Sequence, residues 1–420
     1  MLATDNAPLP LVPHTVSDPC DSFDPIATRA VRAGRAGLHA LGVHAPPLDL
    51  SSTYPLRDLD AASASLDALA AGGGPLGSPV YARLHNPTVA RFEAALAELE
   101  GADSAVAFGS GMAALTAVLL ATRLTDPDAP PRSHLVAVRP LYGGSDHLLE
   151  SGLLGFETTF APADGIAAAL RPDTALVLVE TPANPTLELV DLEAAARAAG
   201  AVPLVVDSTF ATPVLQRPLR HGAAMVLHSA TKFLGGHGDV VAGAVATSAA
   251  WAARLRQVRI LTGGILHPLA GYLLHRGLPT LPLRVRAAQE GATFLAERLA
   301  AHPAVRRVLH PSRPGGDPRG LIGRQLAGPG AVLAFDLAGG HAAAARVLAS
   351  VRLMTPAVSL GSVDTLIQHP AGLTHRLVSE DGRARHGITA GLLRISVGLE
   401  DPRDLWADLA SALDGAGRAA

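Results

Sequence analysis

The sequence predicts an α/β protein: a mainly parallel, doubly wound sheet in a large domain, followed by a smaller C-terminal α+β domain. Three observations carry this. Between about residues 86 and 278, short β-branched apolar runs alternate with Ala-rich helical stretches, the order that builds a parallel sheet covered on both faces. Apolar residues make up 48% of the 420 and charged residues 17%, enough material for a large core. After about residue 279 the rhythm loosens into a few strands and helices.

Taken in order, residues 1–24 carry several prolines and little periodicity and read as disordered. Residues 25–85 read as an irregular N-terminal arm with a Gly/Pro break at "AGGGPLGSP" (71–79). "PTVARFEAALAELEG" (87–101) reads as a helix that closes at Gly101, and "GMAALTAVLLATRL" (111–124) as another. "SHLVAVRP", "TALVLVETP", "AVPLVVDSTF" and "AMVLHSA" read as buried strands, with helices such as "LVDLEAAARAAG" between them. "GAVLAFDL", the helix "HAAAARVLASV", "GLLRISVGLE" and the closing helix "PRDLWADLASAL" make up the C-terminal part, residues 279–420. No internal repeat is visible.

Bulk properties exclude several functions. The net charge is −3 with no basic stripe, so there is no footprint for nucleic acid. One cysteine, Cys20, excludes a disulfide framework and a cysteine-based metal site, and it reads as an incidental thiol. No H-E-x-x-H spacing suggests a metal. No charged n-region followed by an apolar run opens the chain, and apolar runs stop short of the ~18 residues of a membrane span, so a cytoplasmic location is expected.

Of the 34 basic residues, one is lysine: Lys232, in "HSATKFLGGHGDVVAG" (228–243). Arginine stays protonated in proteins, whereas a partly desolvated lysine loses its proton and becomes the nucleophile that joins an aldehyde. Ser229 and Thr231 beside it offer hydroxyls to a phosphate. An aldehyde and a phosphate on one ligand suit pyridoxal phosphate (PLP). Such a site needs a carboxylate for the pyridine nitrogen, and Asp207 ends the strand "VPLVVD". It needs backbone donors at a helix start, and Ser110, Gly111 and Met112 precede a helix. Tyr142, after a strand, is placed to stack on a ring. Each has an ordinary alternative: a turn acid, small residues before any helix, a structural tyrosine.

Together these segments resemble the Cys/Met-metabolism family of PLP enzymes, of fold type I, from about residue 48 to residue 405. Its members include cystathionine γ-synthase, cystathionine γ-lyase, cystathionine β-lyase, methionine γ-lyase and O-acetylhomoserine sulfhydrylase. The resemblance implies that Tyr81 and Arg83 in "VYARLHNPT" bind phosphate in the neighbouring subunit's site. It implies that Gly111, Met112, Ser229 and Thr231 complete that phosphate cup, and that Tyr142 stacks on the ring and helps move a proton. Asn184 in "ETPANPT" would touch cofactor and substrate carboxylate, Asp207 would pair with the pyridinium, and Thr209 would pack nearby. Lys232 would hold the cofactor and carry protons, Ser359 would stand on the substrate side, and Arg394 would clamp the α-carboxylate.

Three departures bear on the substrate. Ala224 stands where members carry an acid and reads as a structural change. Gly144 stands where many methionine γ-lyases carry cysteine, and Val358 where cystathionine-using members carry glutamate. The last two pull in opposite directions. The expected reaction is γ-elimination from methionine or cystathionine. γ-Replacement, β-elimination, an aminotransferase of the same fold type and a non-catalytic PLP-binding relative are the alternatives. His237, His369 and His375 receive no catalytic role. A dimer with shared sites, and a tetramer of two such dimers, is expected.

Overall fold

The computed structural model describes residues 25–124 and 132–417. The expectations for residues 1–24, Cys20 among them, lie outside the described residues. Seven strands form the larger sheet: β1 Ser104–Phe108, β2 His134–Val138, β3 Glu157–Ala161, β4 Thr174–Glu180, β5 Leu204–Asp207, β6 Met225–His228 and β7 Gly243–Thr247. Their spatial order is β1-β7-β6-β5-β4-β2-β3. Strands β2 to β6 pair in parallel, and β7 runs antiparallel to β1 and β6 on either side.

The four runs read as buried strands become β2, β4, β5 and β6. Sequence did not single out β1, β3 or β7, for two reasons. "SAVAF" and "GAVAT" each hold two alanines, a small first residue and a single valine, a weak strand signal. β3, "ETTFA", is an edge strand and mostly half-buried.

Alternation along β6 shows why both faces are covered. Val226 packs with Phe92 and Leu96 of the helix Pro87–Glu100, whereas Met225 and Leu227 pack with Leu115 and Val118 of the helix Gly111–Ala121. The first of these helices is set by its caps: Asn86 accepts from the N–H groups of Thr88 and Val89, and Gly101 closes it at φ 71°. The arm, read as irregular, holds helices at Ile26–Arg32 and Leu59–Ala70. The second is capped by Asp58 and buries only Ala62, Ser65 and Leu69, so its periodicity is faint.

A second sheet follows: β8 Val305–Leu309, β9 Val332–Leu337, β10 Thr355–Pro356, β11 Leu366–Gln368 and β12 Leu392–Ser396, ordered β10-β11-β12-β9-β8. All its pairs are antiparallel except β10 with β11. Helices Leu281–Ala300, Gly340–Ser350 and Pro402–Gly417 bury Leu295, Val347 and Leu409 with Phe335, Leu393 and Ile395 on one face. Period-two alternation then puts Arg394 on the other face. Among the described residues no helix is long and apolar enough to cross a membrane.

One buried ion pair ties helix to sheet. Glu93 Oε1 accepts from the Ala107 N–H at 2.7 Å and from Arg259 Nη1 at 2.5 Å. Glu93→Ala leaves the Arg259 guanidinium buried without its partner and is expected to cost about 3–5 kcal/mol in urea unfolding. The double change Glu93→Leu with Arg259→Met is expected to cost less than the single one.

Candidate active site

Parallel strands deliver their last residues to one edge of the sheet. Asp207 ends β5, in register with Glu180, the end of β4, and with Leu227 of β6. The loop after β1 opens a helix at the same edge, and the loop after β6 carries Lys232. From the second sheet come Arg394, on β12, and Ser359, in the loop between β10 and β11. Together they enclose a cavity of about 640 Å³. It is lined by Ser110, Gly111, Met112, Tyr142, Asn184, Asp207, Thr209, Ser229, Thr231, Lys232, Ser359 and Arg394. Every residue nominated from sequence is present except Tyr81 and Arg83. Those two stand outside it: Tyr81 is 44% exposed, and Arg83 Nη1 donates to the Ile260 carbonyl at 2.8 Å.

Lys232 Nζ donates to Ser359 Oγ at 2.7 Å. Burial first, and repulsion from Arg394 second, push the amine down to about 8, so roughly a tenth of it is neutral at pH 7, far more than for an ordinary lysine. Its loop is tied at the preceding residue, by the Thr231 N–H to the Ala242 carbonyl at 3.1 Å and the Ala242 N–H to Thr231 Oγ1 at 3.0 Å. Ser359 sits at φ 87°, a left-handed conformation that is strained for serine.

Asp207 Oδ1 accepts from the Thr209 N–H and hydroxyl at 3.0 and 2.5 Å, and Thr209 Oγ1 accepts from the Ser229 N–H at 2.8 Å. Burial raises the Asp207 carboxyl; the Thr209 bonds and then the field of His228 oppose that. Arg394, 2% exposed, donates to Asn184 Oδ1 at 2.9 Å and to the Ser359 carbonyl at 2.6 Å. Gln368, with its amide oxygen turned toward the guanidinium, accepts from Nη1 at 2.9 Å and Nη2 at 2.8 Å. All of these acceptors are neutral. Burial pushes Arg394 down to about 10, with Glu180 the foremost opposing charge.

Ser110 caps the helix by accepting from the Ala113 N–H at 3.0 Å. The first N–H groups of a helix have no partner within it, which makes its start an anion site. Here that start presses on the lysine loop: a Cβ on Gly111 would lie 2.9 Å from Ser229 Cβ. The helix start, Ser229 and Thr231 are thus arranged to suit a dianion, and Lys232 and the half-buried Asp207, an acid suited to a ring nitrogen, line the same cavity. These residues fit pyridoxal phosphate.

Sequence reasoning missed Glu180, which lines the cavity, and Gln368. Glu180 carries the signal that marked Asp207, an acid ending an apolar strand. Gln368 carries none, because only the strand register sets it opposite Arg394. His375 is buried with Nε2 bonded to the Asn184 carbonyl at 3.2 Å, and His369 ties Gly372 and the Ala390 carbonyl. His237 is exposed and lies outside the cavity. A Cβ at Gly144 would meet the Tyr142 ring at 2.6 Å. Val358 lines the mouth, and Ala224 lies at the opposite end of β6.

A doubly wound sheet with a desolvated lysine, a helix start suited to phosphate and a half-buried acid at its carboxyl edge is the architecture of a PLP-dependent α/β enzyme. The family model described as Cys/Met metabolism PLP-dependent enzyme matches residues 27–414, and the chain belongs to that family. It is 60% identical over 387 residues to an L-methionine gamma-lyase of Streptomyces avermitilis, covering 92% of this chain and 88% of that protein. It is 57% identical to an L-methionine gamma-lyase of Brevibacterium sandarakinum, covering 94% and 98%. The solved structure of cystathionine gamma synthase from Xanthomonas oryzae pv. oryzae matches with a TM-score of 0.84 at 38% identity, covering 94% and 98%.

Two outcomes are expected. Capture of PLP by cofactor-free protein accelerates as pH rises toward about 8 and levels off above it, because the neutral amine reacts; stopped-flow absorbance measures this. Gly111→Ala overpacks the cradle by about 1–3 kcal/mol and lowers PLP affinity about tenfold by fluorescence titration.

Proposed function

We propose that this protein is a γ-lyase that releases the thiol from a sulfur amino acid, preferring methionine to cystathionine. With methionine and water the products are methanethiol, 2-oxobutanoate and ammonia. One observation carries the reading: a single residue, Ser359, holds both Lys232, through its hydroxyl, and Arg394, through its carbonyl. A substrate carboxylate on Arg394 therefore brings Cα beside the Lys232 amine.

The roles follow from that placement. Arg394 and Asn184 bind the α-carboxylate, and the neutral partners of Arg394 leave its charge for the substrate. Lys232 holds the cofactor between turnovers and moves protons at Cα and Cβ. Tyr142 flanks the ring and assists proton transfer. The Thr209 bonds orient the Asp207 carboxylate toward a cationic ring nitrogen, while Ser110, Gly111, Met112, Ser229 and Thr231 hold the phosphate. When bound, PLP withdraws the electron pair left at Cα.

The mouth supports an apolar γ-substituent. Val241, Val358 and Leu373 line it, and the lining acids, Glu180 and Asp207, are engaged deeper in the cavity. A distal ammonium finds no free carboxylate in this lining. The relatives named L-methionine gamma-lyase favour the same substrate. γ-Replacement is the second reading, favoured by the close match to a cystathionine gamma synthase structure. The protein is read as a cytoplasmic homo-oligomer in which Tyr81 and Arg83 reach the neighbour's phosphate.

Two experiments test this. Methionine, cystathionine, homocysteine and O-acetylhomoserine with and without cysteine are supplied, and 2-oxobutanoate, pyruvate and thiol are measured. Methionine is expected to give 2-oxobutanoate fastest, and Lys232→Ala to give none. Cystathionine formation without elimination would overturn the reading. For the shared site, inactive Arg83→Ala and Lys232→Ala chains are mixed and refolded. If Arg83 serves its neighbour, hybrid dimers regain one intact site and activity returns to roughly a quarter of the wild type. If it serves its own site, nothing returns.

A further inference from the structure

Glu180 is a buried acid that the roles above do not use. It is 5% exposed, ends β4 and stands beside Asp207. Its two oxygens are divided between two loops. Oε2 accepts from the Tyr142 N–H at 2.7 Å, and Oε1 accepts from the Asn184 N–H at 2.7 Å. Tyr142 and Asn184 both line the cavity, and neither is part of a strand. The Asn184 side chain in turn accepts from Arg394. His375 adds a second tie by donating from Nε2 to the Asn184 carbonyl.

We propose that Glu180 is a positioning residue, whose carboxylate spans two backbone N–H groups and fixes the spacing between the Tyr142 ring and the Asn184–Arg394 pair. The chemistry suits one residue type. A carboxylate accepts at both oxygens, whereas an amide accepts at one and turns a donor toward the other N–H. An aspartate keeps the charge and loses the reach. The wall is therefore set by a side chain anchored in the sheet, and a loop carries only the contacting groups. Burial, then the Asp207 charge, raise the Glu180 carboxyl well above the usual range, and the two N–H bonds oppose this.

The inference rests on the reading that Tyr142 and Asn184 face cofactor and substrate, so the test has one arm independent of both. In cofactor-free protein, amide exchange is followed in the peptides containing Tyr142 and Asn184. Glu180→Asp is expected to speed exchange at least about tenfold in both peptides, and Glu180→Gln in the one that meets its amide donor, with the core strands unchanged. In the holoenzyme, both Glu180 variants are expected to raise KM for methionine about tenfold and to weaken binding of norleucine, which lacks a leaving group, by a similar factor. Norleucine binding is read from the visible spectrum. Unchanged exchange overturns the proposal. So does a lower kcat at unchanged KM, the mark of fewer folded molecules. Failure of both variants to fold makes Glu180 a residue of the fold and likewise overturns it. If wild-type protein releases no thiol from any sulfur amino acid, the functional reading falls and the exchange result still decides the role of Glu180.

Discussion

A guanidinium taken almost wholly out of water must be compensated, and the way this is done at Arg394 governs the site. An ion pair would hold it well and would also neutralise it. The protein instead surrounds it with the Asn184 side chain, the Ser359 carbonyl and the Gln368 amide, with Glu180 acting from behind. Hydrogen-bond capacity is satisfied while positive charge remains available. Burial depresses the Lys232 amine and the same charge adds to that, so one buried cation both attracts an anionic substrate and helps keep the nearby base able to accept a proton.

This arrangement needs two sheets. Parallel strands of the larger one present Glu180, Asp207 and Lys232 at a common edge. The smaller, mostly antiparallel sheet sends Arg394 across from its non-helical face, with Gln368 beside it on β11. The hydroxyl and carbonyl of Ser359 are the direct link between the two contributions.

Much of this was legible in the chain because the chemistry demands unusual residues in recognisable places. A lone lysine after a strand, an acid ending "VPLVVD" and a small-residue turn before a helix each state a need, and the fold brings them to one cavity. What escaped notice had no local mark. β1 and β7 set one valine each among mostly small residues, which is little β-branched bulk. The helix Leu59–Ala70 leaves Leu59 and Leu66 exposed and buries only Ala62, Ser65 and Leu69, so no clean apolar stripe betrays its period. Gln368 gains meaning only from strand pairing. Glu180 was overlooked although it obeys the rule that found Asp207, because its partners are backbone groups that any residue carries. Tyr81 and Arg83 show a different limit, since a single chain does not contain what they would touch.

The left-handed backbone at Ser359 carries a further consequence. Holding a side-chain-bearing residue there costs on the order of 1–3 kcal/mol, which a glycine would recover. Glycine would also delete the hydroxyl that steadies Lys232. A sturdier molecule thus lies one codon away, and selection for turnover would have to reject it. Improvement of thermal tolerance in this scaffold is best sought at positions remote from that turn.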